Sequence, residues 1–169
     1  MIKIALDRLR NQTDAEFEFS GNREELGLQD LQFPVQDLHV YLHFMEADHG
    51  FYAVGDISGV ALLDCHRCLT QFEYPLDISV STMVILDQTD EFKDEDDLIQ
   101  VAPGDRYINL TKLIKDAILL DLPVKLVCKE DCQGLCAQCG TNLNEGQCDC
   151  TDDSIDPRWA KLKEINFED

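Results

Sequence analysis

The sequence predicts an α+β domain: a mainly antiparallel β-sheet or partly open barrel, one central helix, a cysteine-rich module and a short C-terminal helix. Three observations carry that expectation. The first half of the chain alternates apolar and polar residues in long runs. Past residue 109 one stretch changes to helical spacing. Six of the eight cysteines then crowd into "CKEDCQGLCAQCGTNLNEGQCDC", from Cys128 to Cys150.

The strands come first. "DLHVYLHFM" sets Leu38, Val40, Leu42 and Phe44 against His39, Tyr41 and His43, the pattern of a half-buried strand. "FYAVGDISGVALLD" follows the turn Asp48-His49-Gly50, which predicts a hairpin. Its Gly55 and Gly59 suggest a bulge or a sharp bend. "FEYPLDISVSTMVIL" supplies another strand, with Pro75 favouring its edge or its beginning. Connections this short imply an antiparallel meander. "DQTDEFKDEDD", from Asp87 to Asp97, then interrupts the pattern as a solvated loop with seven carboxylates and one lysine.

In "NLTKLIKDAILLDLP", Leu110, Leu113, Ile114, Ala117 and Ile118 follow helical spacing. Asn109 is a candidate cap and Pro123 stops the helix. A last helix is signalled by "DPRWAKLKEI", with Asp156 at the cap, Pro157 in the first turn, and Trp159 and Leu162 facing the body. Residues 1–127 thus read as the body, 128–150 as a module packed on it, and 151–169 as helix and tail, together one compact domain. No internal repeat stands out.

Composition narrows the function. With 169 residues and 44% hydrophobic content, the chain can bury a core without disulfides. Asp7, Arg8 and Arg10 fall in the first ten residues, and no apolar run has signal-peptide or membrane-span length. We therefore expect a cytoplasmic protein, with reduced thiols and no membrane partner. Acidic residues number 34 against 14 Lys and Arg, a net charge of −20. That balance lacks the basic footprint that grips phosphates, so direct RNA contact is not expected. A basic protein would be steered towards this surface, and Asp94, Glu95, Asp96 and Asp97 are the candidate partner-binding residues. The plainer alternative is that the charge keeps the chain soluble. There is no glycine-rich phosphate loop and no nucleophile elbow. His39 and His43 share a strand face and read as ordinary surface residues. Neither an enzyme nor a small-molecule substrate is expected.

The cysteines carry the chemistry. Two thiolates on one tetrahedral zinc lie about 3.7 Å apart if Zn–S is about 2.3 Å, and a Cys-x-x-Cys turn meets that need. Cys65 with Cys68 in "CHRC" and Cys136 with Cys139 in "CAQCG" are two such pairs. Cys128 with Cys132, and Cys148 with Cys150, are looser ones. Cys136, Cys139, Cys148 and Cys150 form a complete set within fifteen residues, a zinc-ribbon-like knuckle. By elimination, Cys65 and Cys68 meet Cys128 and Cys132. Two closed Cys₄ zinc sites would be structural, with no open position for water or substrate. His66, inside the first knuckle, is a possible substitute ligand but is expected to face solvent. An iron–sulfur cluster matches neither common spacing, and a redox Cys-x-x-Cys would open a helix, whereas this one lies between strands.

"LDCHRCLTQFEYPL", "LPVKLVCKEDCQGLCAQCGTNLN" and "DPRWAKLKEI" together resemble the YceD-like family, the large ribosomal RNA subunit accumulation proteins. The resemblance runs from the first Cys-x-x-Cys to the end and more weakly before it. The family usually has proline after the "GLC" cysteine, where this chain has Ala137, a change that touches no ligand. The resemblance implies a bacterial cytoplasmic protein needed for synthesis, processing or stability of 23S ribosomal RNA. Its partner would be a ribosomal protein or a pre-ribosomal large subunit. The alternatives are an RNA-binding zinc ribbon using Arg67, Lys129 and the stretch from Arg158 to Lys163, and a redox-responsive zinc protein.

Overall fold

A computed structural model describes residues 1–11, 14–86 and 98–150. Among them the order is β1 (Lys3–Ala5), α1 (Leu6–Arg10), β2 (Asp14–Gly21), β3 (Val35–Ala47) and β4 (Gly50–Asp64). Then come β5 (Gln71–Ile85), β6 (Leu98–Gln100), β7 (Tyr107–Asn109) and α2 (Thr111–Asp121). The large sheet runs β2-β3-β4-β5-β6, antiparallel up to β5 and parallel between β5 and β6. It is therefore a mixed, open sheet within an α+β fold. The barrel expectation gives way because β2 and β6 end the sheet on opposite sides and do not pair with each other.

The alternation in β3 sets which face is buried. Leu38, Val40, Leu42 and Phe44 are each at most 1% exposed. Burying each such side chain contributes roughly 1.5–3 kcal/mol, and a one-residue slip would turn all four to water. The register is thus held by burial. On the neighbouring strand the Phe17 ring meets Phe44 edge-on, with centroids 5.7 Å apart and planes at 89°. Asp48 and His49 form the two-residue turn into β4, where Ala47 pairs with Gly50. Phe51, Ala53, Ile57, Ala61 and Leu63 continue the buried row on β4.

The bulge is not where the glycines suggest. β4 pairs with β5 without a break, and the register shift lies on β3 between Gln36 and His39, opposite Gly59. Asp37 takes a positive φ of 48° there. Gly55 has a different reason: a Cβ at that position would collide with the Tyr41 carbonyl oxygen of β3. Those two strands approach too closely for any side chain.

The small sheet pairs β1 with β7 and ties the amino terminus to the start of α2. Leu110 donates its N–H to the Ile2 carbonyl, and Ile2 donates to Thr111 Oγ1, both at 3.0 Å. In α2, Ile114 and Ile118 are fully buried, and the helix packs beside β5. The residue before the helix is Leu110, and Asn109 serves from one position earlier, its Oδ1 accepting the Thr111 N–H at 3.1 Å. The helix ends at Asp121, and Leu122 is already extended, as the residue ahead of Pro123 must be. The expected helix from Asp156, with Trp159 and Leu162, lies outside the described residues.

Candidate metal centres

The loop between β4 and β5 is a knuckle. Cys65 N–H donates to the Thr70 carbonyl at 3.0 Å, and Leu69 N–H returns to the Cys65 carbonyl at 2.9 Å. The loop after residue 135 repeats it: Cys136 N–H donates to Thr141 O at 2.8 Å, and Gly140 N–H to Cys136 O at 2.9 Å. Both turns need a left-handed residue after the second cysteine. Gly140 supplies it at φ 75°, and Leu69, unusually, at φ 58°. "CHRCLT" and "CAQCGT" are thus one six-residue device used twice.

Each knuckle gathers two further sulfurs. Cys65, Cys68, Cys128 and Cys132 place all four within 4.8 Å of one another, and so do Cys136, Cys139, Cys148 and Cys150. In the first group Cys65 Sγ lies 3.8 Å from Cys132 Sγ, and Cys68 Sγ lies 3.7 Å from Cys128 Sγ. A disulfide needs about 2.05 Å, whereas two sulfurs on a tetrahedral zinc sit about 3.7 Å apart. All eight cysteines are free. The donor set therefore fits zinc, and each group could hold one metal ion.

Electrostatics point the same way. Burial pushes the Cys65 thiol up, but N–H donors from Cys128, Cys68 and Arg67 outweigh it and hold the thiol at about 6. Its neighbour Cys128 is pushed up to about 12, first by burial and then by Cys68. In the second group the Thr141 hydroxyl leads in holding Cys139 at about 6, while Cys139 itself leads in pushing Cys150 to about 12. One thiol in each group ionises readily and another resists, because burial and the sharing of a proton with the neighbouring sulfur both oppose further negative charge there. A divalent cation removes that conflict.

The two groups differ in setting. Cys65, Cys68 and Cys132 are buried, whereas Cys139 and Cys150 are exposed. Several residues that spacing did not reveal join them. Asn144 donates from Nδ2 to Cys132 Sγ at 3.4 Å, and its Oδ1 accepts the Gln133 N–H at 2.9 Å. Asn142 reaches Thr70 Oγ1 at 3.4 Å, and Leu135 bridges to Asn142. The second loop thereby leans on the first centre. The legible signal was the paired threonine, Thr70 and Thr141, two residues past each Cys-x-x-Cys. His66 faces solvent yet clasps the chain, donating its N–H to Leu126 O at 2.8 Å and accepting the Leu126 N–H at Nδ1.

Other candidate residues also find their places. Arg67 points its guanidinium back to the Cys132 carbonyl at 2.9 Å, and Lys129 faces Asp131 at 3.8 Å. His43 has an acid beside it, Asp14 at 3.5 Å across β2, which sequence separation hid. Asp94, Glu95, Asp96 and Asp97 lie outside the described residues, as does the stretch from Arg158 to Lys163. No helix among the described residues is long and apolar enough to cross a membrane.

A family profile described as "Large ribosomal RNA subunit accumulation protein YceD" matches residues 53–166, which takes in all eight cysteines. The chain belongs to the YceD family. An uncharacterized protein of Mycobacterium tuberculosis is 33% identical over 130 residues, 76% of this chain and 61% of that protein. The uncharacterized protein YlbN of Bacillus subtilis is 32% identical over 114 residues, 67% of this chain and 64% of its own length. The chloroplastic large ribosomal RNA subunit accumulation protein YCED homolog 1 of Arabidopsis thaliana is 32% identical over 73 residues, 43% of this chain and 23% of that protein. This YceD-family chain thus spans 61% to 64% of the two bacterial relatives. No solved structure matches it.

Proposed function

We propose that the chain is a zinc-stabilised acidic factor supporting large ribosomal subunit biogenesis in the cytoplasm, through synthesis, processing or stability of 23S ribosomal RNA. It acts by binding, not by catalysis, and its partner is a basic ribosomal protein or a pre-ribosomal particle. The observation that carries this reading is YceD-family membership in a chain of net charge −20. A surface of that sign repels phosphate and attracts the lysine-rich proteins that phosphate binds. The two zinc ions would be structural, held by Cys65, Cys68, Cys128 and Cys132 and by Cys136, Cys139, Cys148 and Cys150. Arg67 and Lys129, two cations a direct RNA reading requires, are engaged within the first centre's own loop, which favours a protein partner.

Immobilised protein incubated with purified large-subunit ribosomal proteins in about 0.15 M salt should retain at least one of them, since that ionic strength already screens casual charge pairs. Tight binding to naked 23S RNA, with no ribosomal protein retained, would overturn the proposal.

A further inference from the structure

β5 carries an edge that the rest of the sheet leaves open. β4 pairs with its whole length, but β6 covers only Met83, Val84 and Ile85 on the other side. Among the described residues no strand lies along that outer edge from Gln71 to Ser81. One hydrogen bond fixes its parity. Ile85 turns its carbonyl outward to accept the Val101 N–H at 3.0 Å. Alternate residues of a strand bond to the same side, so Asp77, Ser79 and Ser81 also present N–H and C=O outward. Pro75, of the same parity, has no N–H and ends the row.

Beside this edge, between β5 and α2, runs a groove of about 850 Å³. Ile78 and Val80 form one apolar wall, and Leu113, Ala117 and Leu120 form the other. Leu120 is 85% exposed, so the α2 wall has no cover among the described residues. A bonding row next to an apolar trench suits an extended segment that adds as a strand, its alternate side chains dropping into the trench. Charge selects the segment. Asp116 and Asp121 line the groove, against Lys112, which faces Asp116 at 3.9 Å.

We infer that the Asp77–Ser81 edge and the groove beside α2 dock an extended basic segment with alternating apolar residues, contributed by a large-subunit ribosomal protein. This surface rests on the function proposed above and gives it an address.

Two probes test it on the full, metal-loaded chain: an alternating Lys-Val-Arg-Val-Lys-Val-Lys peptide, and proteins released from large ribosomal subunits by high salt. A double Ser79→Pro, Ser81→Pro variant removes outward N–H groups while leaving the β4 ladder intact. It should weaken binding of both probes by about tenfold or more. In the parent chain the Ser79 and Ser81 amides should become protected from hydrogen exchange on binding. Leu120→Lys, at an exposed position, should weaken binding in the same way if the prolines unfold the strand. Undiminished binding by these variants overturns the docking site while leaving a ribosomal partner possible. Peptide capture at the edge with no ribosomal protein bound overturns the partner and leaves the edge. Peptide binding that emerges only in a Trp159→Asp variant assigns the groove to the chain's own tail and overturns the proposal.

Discussion

The two knuckles share a backbone and differ in what surrounds them. "CHRCLT" sits where β4 turns into β5, and its partners Cys128 and Cys132 arrive from sixty or more residues away. "CAQCGT" finds Cys148 and Cys150 nine or more residues on and remains partly in solvent. The same local turn therefore does two jobs. In the first, a bound ion would close a loop of sixty or more residues and fasten the sheet to the segment after α2. In the second, it would order only the loop that holds it. Location, not the motif, decides how much of the fold depends on each.

Loss of the first centre should break that comparison most visibly. Structural zinc contributes on the order of 10–16 kcal/mol of apparent binding energy, comparable with the whole stability of a typical domain at about 5–15 kcal/mol. Cys65→Ser should therefore abolish cooperative melting of the strand signal in circular dichroism and lower bound zinc from about two ions per chain to one or fewer. Cys139→Ser should also lose one ion, yet leave a cooperative strand transition only a few degrees lower. Equal unfolding by both variants would show that the second centre is as deeply built into the fold as the first.

Asn144 sharpens the contrast, because it belongs to the second loop in sequence and to the first centre in space. An outer hydrogen bond to a ligand typically changes metal affinity by about 10–100-fold. Asn144→Ala should speed or deepen zinc loss to a competing chelator from the group containing Cys132, with the Cys136 group unaffected. Loss from the Cys136 group instead would mean that the 3.4 Å contact to Cys132 Sγ does little.

How far these features were legible depends on the range of the interaction behind each. The β3–β4 hairpin is local: alternation from Leu38 to Phe44 and a two-residue turn specify it, and the structure follows. The division of sulfurs into two groups of four was also readable, since spacing completes one set and leaves the other. What sequence withheld is nonlocal. Gly55 and Gly59 suggest a bulge or a sharp bend on β4, but the extra residue lies on β3, and the glycines answer to its approach. Strand β6 has three residues and parallel pairing, too short to register as a periodic run. Asn142 and Asn144 look like loop residues until Thr70 and Cys132 come beside them.

The smallest effect isolates the turn itself. Leu69 and Gly140 hold equivalent positions, at φ 58° and 75°, so the comparison reduces to one side chain. A left-handed backbone costs a non-glycine residue roughly 1–2 kcal/mol. Nothing lies within 4 Å of a Cβ added at Gly140, so Gly140→Ala meets no clash and should lose about 1 kcal/mol from backbone conformation alone. Leu69→Gly should relieve the same strain, offset by about 0.4–1 kcal/mol of added freedom in the unfolded chain. Leu69 is 68% exposed, so little burial is lost. A net gain of roughly 0.5 kcal/mol follows, read as a higher denaturant midpoint with an unchanged slope. Destabilisation by Leu69→Gly would instead mean that the leucine side chain makes a contact worth more than the strain of its turn, and the two knuckles would differ in more than their surroundings.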